Sequence, residues 1–109
     1  MKHLLFDLID CPNNLLDDED FVRLSVWNAA KESKSELINI SCHKFKPQGV
    51  TALAMLAESH LSIHTWPEKG VAYCDIFTCG DHCEPESAVE YLSKWLSSTN
   101  TKSKCYERI

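Results

Sequence analysis

The first third of the chain passes from an apolar run to a helical spacing of apolar residues. Residues 3–9 are mostly apolar and predict a strand. Residues 11–14 predict a turn, because proline presets one backbone angle and asparagine tolerates left-handed conformations. Residues 17–34 predict a helix, with acids in the first turn and apolar residues at intervals of three and four: Val22, Val26, Ala29 and Ala30. The chain is therefore expected to begin with a strand, a turn and a helix.

The middle of the chain consists of short apolar or alternating segments. Residues 36–45 predict a half-buried strand, since apolar and polar residues alternate with Ile38, Ile40 and Cys42 on one side. Further strands are predicted at residues 50–57, 60–66 and 71–77, with turns at residues 46–49 and 67–70.

The last part of the chain returns to a helical pattern. Pro85 and the apolar residues after it predict a second helix at about residues 84–97, and residues 103–107 predict a closing strand. This order of elements predicts an α+β fold, a two-layer sandwich in which two helices pack on one face of a mostly antiparallel sheet. Because two helices shield only one face, we expect a second copy of the chain or the substrate to cover part of the other.

The composition fits one domain spanning residues 1–109. Of these 109 residues, 44% are hydrophobic and 25% are charged. The 16 acidic and 11 basic residues give a net charge of −5, which argues against nucleic acid or an anionic membrane as the main partner. No apolar run approaches the roughly 20 residues that span a bilayer, and no secretory signal is recognised. We expect a cytoplasmic protein whose six cysteines are reduced.

Three motifs follow one another between residues 43 and 80. They are HKFKPQGVT at residues 43–51, ESHLSIHTWPE at residues 58–68 and DIFTCG at residues 75–80. Together they closely resemble the motifs of the bacterial and archaeal S-adenosylmethionine decarboxylase proenzymes. Three ordered motifs at fitting spacing are a far more specific signal than a single short pattern.

The resemblance implies a self-processing enzyme that makes its cofactor from its own backbone. Ser59 would attack the carbonyl of Glu58, and the resulting ester would be lost by β-elimination. Ser59 would become a pyruvoyl group, and the chain would be divided into residues 1–58 and 59–109. His64 matches the family residue that accepts a proton during processing, and Thr51 matches a hydroxyl residue that assists. Ser59 and His64 would point to opposite faces of one extended strand, so these roles lead us to expect a bend or a strand boundary near Ser59. The resemblance implies no metal.

The resemblance also implies how the mature enzyme acts. The pyruvoyl ketone would form a Schiff base with the amine of S-adenosylmethionine, and Cys79 matches the family's proton donor in decarboxylation. Phe45 and Trp66 match the aromatic pair that sandwiches adenine, and Glu68 matches the acid that binds the ribose hydroxyls. The product would be an aminopropyl donor for spermidine synthesis. A homodimer with its sites at the interface is implied.

Two alternatives remain open at this point. A relative with the same pyruvoyl chemistry could decarboxylate ornithine or arginine, although Phe45, Trp66 and Glu68 would then have no adenine or ribose to bind. A zinc-binding module could instead use two histidines and two cysteines with three residues between the members of each pair: His60, His64, Cys79 and Cys83. Taken alone, each of these side chains also has an ordinary structural explanation in a core, a turn or a strand.

Overall fold

A computed structural model describes all of residues 1–109 and contains one six-stranded sheet. Its strands are β1 (Lys2–Ile9), β2 (Leu37–Lys44), β3 (Val50–Leu56), β4 (Ser59–Trp66), β5 (Val71–Thr78) and β6 (Asn100–Glu107). The spatial order is β2-β3-β4-β5-β1-β6, and every neighbouring pair is antiparallel. The predicted α+β sandwich is confirmed, and the predicted strand boundary falls at Ser59.

The helices are α1 (Asn13–Leu16), α2 (Glu19–Glu32) and α3 (Pro85–Trp95), and a single 3-10 turn covers Pro67–Lys69. The side chain of Asp18 caps α2 by accepting a hydrogen bond from the Phe21 amide at 3.0 Å. The predicted turn at residues 11–14 is wrong in its second half, because α1 begins there. Its last residue, Leu16, is fully buried, so packing against the core holds this short helix in place.

The core lies between α2, α3 and one face of the sheet. The strands contribute alternate side chains to it, as their pattern predicts; examples are Leu4, Phe6, Leu61, Ile63 and Ile76. The prediction for β2 is wrong at Ile38, which is 55% exposed. A bulge between Leu37 and Asn39 shifts the register there, so that Leu37 pairs with the buried Leu56 and faces the helices.

The opposite face of the sheet, which we call the open face, has no helix over it. Five large apolar or aromatic side chains on it are between 43% and 59% exposed: Leu5, Leu53, Met55, Tyr73 and Tyr106.

All six cysteines are free thiols. The longest helix, α2, has 14 residues, and none of the helices could cross a membrane.

Candidate functional site

The peptide bond between Glu58 and Ser59 lies in the tight turn that joins β3 to β4. Leu56 and Ser59 are the last pair of the ladder, so only Ala57 and Glu58 form the turn. Cys79, just after β5, donates its thiol hydrogen to the Glu58 carbonyl oxygen at 3.1 Å. We call Glu58, Ser59 and Cys79 the processing cluster. A donor on this oxygen polarises the carbonyl that the Ser59 hydroxyl is predicted to attack.

The side chain of Glu58 is held from two sides. The Glu36 amide donates to Oε1 at 3.1 Å, and Nε2 of His82 lies 3.0 Å from Oε2. Burial tends to raise the pKa of Glu58, but hydrogen bonds from His82 and the Glu36 amide outweigh it, and the pKa lies below its usual value. Glu58 is therefore a fixed carboxylate beside the peptide bond, although the sequence indicated no role for its side chain.

Ser59 is also in contact with a network on the open face. Its Oγ lies 3.3 Å from Nδ1 of His60, and Nε2 of His60 lies 2.8 Å from Oδ2 of Asp75. His3 contacts the same carboxylate oxygen at 2.8 Å through Nε2, and the Ser62 hydroxyl donates to Oδ1. A cavity of about 480 Å³ opens beside Ser59, His60 and Asp75.

Electrostatics favour the charged form of Asp75. Burial tends to raise its pKa, but hydrogen bonds from Ser62, His3 and His60 together outweigh burial, and the pKa lies below its usual value. Sequence reasoning assigned no role to His3 or Asp75. Asp75 is the first residue of the DIFTCG motif, which was a usable signal, whereas nothing in the sequence links it to His3, 72 positions away.

The remaining predicted site residues lie together at the other end of the β3–β4 hairpin. Thr51 Oγ1 is 3.1 Å from Nδ1 of His64, directly across the two strands. A second cavity of about 450 Å³ is lined by both residues and by Phe45, Trp66 and Glu68. We call these five residues the recognition cluster. Phe45 and Trp66 are 45% and 39% exposed, so their rings are available to a ligand.

A glycine shapes the turn that carries Glu68. Gly70 ends the 3-10 turn with φ +67°, a left-handed conformation that side chains with a Cβ rarely adopt. A Cβ at this position would also lie 3.1 Å from the Cys11 carbonyl oxygen. Glycine therefore lets the turn pack closely against the start of the chain and holds Glu68 at the second cavity.

The two clusters are separated within one chain. His60 and His64 lie on the same face of β4 four residues apart, which corresponds to about 13 Å along an extended strand. The strand boundary at Ser59 does not fold the chain back enough to remove this separation. His64 is therefore out of contact with the Glu58–Ser59 peptide of its own chain.

The structure does not bring the four proposed zinc ligands together. His64 pairs with Thr51 at one end of the hairpin, whereas Cys79 lies at the other. Two groups of possible ligand atoms do converge, His3 with His60 and Asp75, and Glu58 with His82 and Cys83, and neither contains His64 or Cys79. The zinc alternative from sequence is not favoured, because spacing along a strand does not bring side chains together.

Known proteins resemble this chain over nearly its whole length. The family model for S-adenosylmethionine decarboxylase matches residues 2–109. A Synechococcus sp. (strain WH7803) protein named S-adenosylmethionine decarboxylase proenzyme is 52% identical over 99 residues, 91% of this chain and 77% of that protein. A protein of the same name from Methanococcus maripaludis is 45% identical over 101 residues, 93% of this chain and 83% of that protein.

The fold has a counterpart among solved structures. The crystal structure of the adenosylmethionine decarboxylase from Aquifex aeolicus VF5 matches with a TM-score of 0.91 and 34% sequence identity. The match covers 98% of this chain and 88% of that one. The likeness in sequence and in fold therefore extends across the residues of both clusters.

Proposed function

The chain belongs to the S-adenosylmethionine decarboxylase family, and from this premise we propose that it is a self-processing enzyme that decarboxylates S-adenosylmethionine. The observation that carries the proposal is the hydrogen bond from Cys79 to the Glu58 carbonyl oxygen, next to the Ser59 hydroxyl. A serine hydroxyl is a weak nucleophile, so a polarised and fixed carbonyl is what an attack by Ser59 requires.

Processing divides the chain into residues 1–58 and 59–109. Ser59 Oγ bonds to the Glu58 carbonyl carbon, the peptide C–N bond breaks, and an ester with a free Ser59 amine results. Removal of the Ser59 Cα proton breaks the Ser59 Cβ–Oγ bond, expels the new backbone α-carboxylate of Glu58 and leaves a dehydroalanine. Its imine tautomer takes up water and releases ammonia, which gives a pyruvoyl group. The hydrogen bond from Cys79 fits these steps, because it lies on the backbone carbonyl that first forms the ester and then leaves, and the bonds to the Glu58 side chain hold the residue that carries this carbonyl.

Once formed, a pyruvoyl group at position 59 would supply an electron-withdrawing ketone for the electron pair left behind when the substrate loses carbon dioxide. The chain's own residues then bind the substrate and supply a proton. Cys79 is the proposed proton donor, because its thiol lies 3.1 Å from the Glu58 carbonyl oxygen, next to Ser59, and carries a hydrogen that it can donate.

The recognition cluster is the proposed site for the nucleoside part of S-adenosylmethionine. Phe45 and Trp66 offer aromatic faces to adenine and to the sulfonium cation, and Glu68 accepts hydrogen bonds from the ribose hydroxyls. Ornithine and arginine have neither group. A substrate with a nucleoside is therefore favoured over these basic amino acids.

A homodimer supplies a complete active site under this proposal. One chain holds the processing cluster and the recognition cluster about 13 Å apart on one strand, by the strand rise of 3.2–3.4 Å per residue. A second copy on the open face can bring its recognition cluster, including His64 and Thr51, to the Ser59 of the first. The exposed apolar side chains of the open face support this pairing, because burying them is favourable.

Intact-mass analysis and an assay on three substrates test the proposal together. We expect purified protein to consist of fragments of 58 and 51 residues, the smaller one blocked at its amino end. We expect carbon dioxide release from S-adenosylmethionine and not from ornithine or arginine. Ser59→Ala should give a folded, uncut and inactive chain, since only the reacting hydroxyl is lost. A wild-type chain that stays whole and releases no carbon dioxide would contradict the proposal.

A further inference from the structure

The imidazole that contacts the Ser59 hydroxyl belongs to His60. Ser59 Oγ and His60 Nδ1 are 3.3 Å apart, within hydrogen-bond distance, and His64 has no contact with this hydroxyl. Processing begins with a proton leaving Ser59 Oγ, so a base is needed at this atom. His60 is the residue of the chain whose basic side chain touches it.

The Asp75 carboxylate decides which ring nitrogen of His60 carries the proton. An ionised carboxylate only accepts hydrogen bonds, so the 2.8 Å contact between Asp75 Oδ2 and His60 Nε2 requires a hydrogen on Nε2. In a neutral ring Nδ1 then has a free lone pair, and it faces the Ser59 hydroxyl. The order serine, imidazole, carboxylate is that of the catalytic triads of serine hydrolases, in which the carboxylate fixes the tautomer of the histidine.

Other side chains fix Asp75 in its turn. Arg108 Nη1 lies 3.3 Å from His3 Nδ1, and because guanidinium only donates, His3 accepts there and donates through Nε2 to Asp75. The Ser62 hydroxyl donates to the second carboxylate oxygen. Asp75 has a side-chain exposure of 20% and is bonded on both oxygens, so it cannot turn away from His60 without losing these bonds.

We propose that His60 is the general base that takes the proton from Ser59 Oγ in the first step of self-processing, and that Asp75, held by His3 and Ser62, is its positioning residue. The inference rests on the proposed function. The Ser59 oxygen bonds to the Glu58 carbon while its proton passes to His60 Nδ1. When the C–N bond breaks, the same proton passes to the Ser59 nitrogen, so the step consumes and releases nothing. His64 keeps its proposed part in the later elimination.

Pulse-labelled precursor gives the rate of this step directly. Cell-free synthesis with a short pulse of labelled methionine marks Met1 and Met55, so the precursor and the fragment of residues 1–58 are both visible on a denaturing gel. We expect His60→Asn to slow cleavage by about 10²–10⁴-fold, the usual contribution of a general base. Cleavage of His60→Asn at the wild-type rate would overturn the proposal.

Hydroxylamine separates the first step from the second, because it cleaves an ester but leaves a peptide bond intact. We expect His60→Asn to accumulate no hydroxylamine-sensitive ester, whereas His64→Asn accumulates one between residues 58 and 59. Accumulation of the ester in His60→Asn would mean that the acyl shift proceeds without His60, and would also overturn the proposal.

Two matched aspartate variants test the positioning role of Asp75. They also keep the proposal testable if His60→Asn does not fold. Asp75→Asn should slow cleavage at least about tenfold, since an amide no longer fixes the tautomer. Asp7→Asn changes another open-face aspartate, one whose side chain has no hydrogen bond or ion pair, and should stay within about twofold of the wild type because substitutions away from such contacts are usually near neutral. Equal cleavage rates for the two variants would contradict the positioning role of Asp75.

Chelation gives an independent readout. The ring nitrogens of His3 and His60 and the Asp75 carboxylate also converge closely enough to hold a metal ion. A metal on His60 Nε2 would move the proton to Nδ1 and abolish the base. We expect cleavage in EDTA at the full rate and inhibition by added Zn²⁺. Loss of cleavage in EDTA with recovery in Zn²⁺ would overturn the role of His60 as a base.

The failure of this inference and the failure of the proposed function can be told apart. If wild-type protein is cut but His60→Asn is cut equally fast, only the role of His60 is contradicted, whereas an uncut wild type contradicts the proposed function.

Discussion

At the residue scale, the chemistry is concentrated on one carbonyl oxygen. Cys79 donates to the backbone carbonyl oxygen of Glu58, which would become negatively charged in the proposed attack by Ser59. The resemblance assigned Cys79 only to decarboxylation. The structure adds a contact between its thiol and the carbonyl oxygen of the peptide bond that is proposed to be cut. We therefore propose that the same thiol serves both reactions, since it contacts the residue next to Ser59.

Replacement of Cys79 is expected to affect both reactions. Cys79→Ala should slow self-cleavage by about tenfold, less than the 10²–10³ typical of an oxyanion donor because a thiol is a weak donor. The cleaved fraction should then turn over S-adenosylmethionine far more slowly than the wild type. Pulse-labelled cleavage and carbon dioxide release measure the two effects. Cys105→Ala, at an exposed cysteine on β6, is the control, and normal turnover by Cys79→Ala would refute the assignment.

Replacement of Glu68 is expected to weaken substrate binding without affecting processing. Glu68→Gln keeps the shape of the side chain but loses the charge that strengthens hydrogen bonds from ribose hydroxyls, so KM should rise by about tenfold, which corresponds to roughly 1.4 kcal/mol. Steady-state kinetics measure KM and kcat, and the gel measures cleavage. An unchanged KM would place ribose recognition elsewhere.

At the element scale, the β3–β4 hairpin carries both clusters, one at each end. Thr65 on β4 ties the end with the recognition cluster to its neighbours. Its hydroxyl accepts a hydrogen bond from the Val50 amide at 2.8 Å and donates one to the Leu16 carbonyl at 2.8 Å. The hydroxyl is buried and joins α1, β3 and β4, so it fixes the position of the strand ends that hold Thr51 and His64.

Loss of this hydroxyl is expected to destabilise the fold. Thr65→Val keeps the volume but leaves the Val50 amide and the Leu16 carbonyl without partners, which should lower the free energy of unfolding by about 1–3 kcal/mol. Urea denaturation at fixed protein concentration, in a Ser59→Ala background that keeps the chain whole, measures the change. Thr99→Val, at an exposed threonine outside the strands, should stay within about 0.5 kcal/mol of the parent.

At the scale of the whole molecule, the open face determines how the protein can work. Its exposed apolar side chains and its two separated clusters fit a symmetric pair of chains better than a single chain. In such a pair each active site takes the processing cluster from one chain and the recognition cluster from the other.

Mixing two inactive variants tests this arrangement. Ser59→Ala retains His64, and His64→Ala retains Ser59. When the two chains are unfolded together and refolded, the mixed dimers should contain one site with both residues, so up to about half of the His64→Ala chains should be cut if pairing is random. Each variant refolded alone should remain uncut. A mixture that stays uncut although mixed dimers form would contradict a shared site.

The sequence by itself determined the order of the main elements and proposed the reacting residues. Apolar residues alternate in the strands and recur at helical spacing in the helices. Both patterns are local and show which face of each element is buried, so the sandwich could be predicted. Three motifs were enough to propose Ser59, His64 and Cys79 as reacting residues, through their resemblance to the family. Local exceptions were missed, because the bulge at Leu37 and the short helix α1 depend on packing with distant residues.

Only the tertiary structure decided which of these residues meet. His3 reaches Asp75 because β1 pairs with β5, and no local pattern specifies the pairing of strands so far apart in sequence. His60 stood in the sequence as half of a possible zinc pair, and the fold places it between Ser59 and Asp75 instead. The extended conformation of β4 likewise keeps His64 away from the Glu58–Ser59 peptide bond of its own chain, because an extended strand holds its residues at fixed distances.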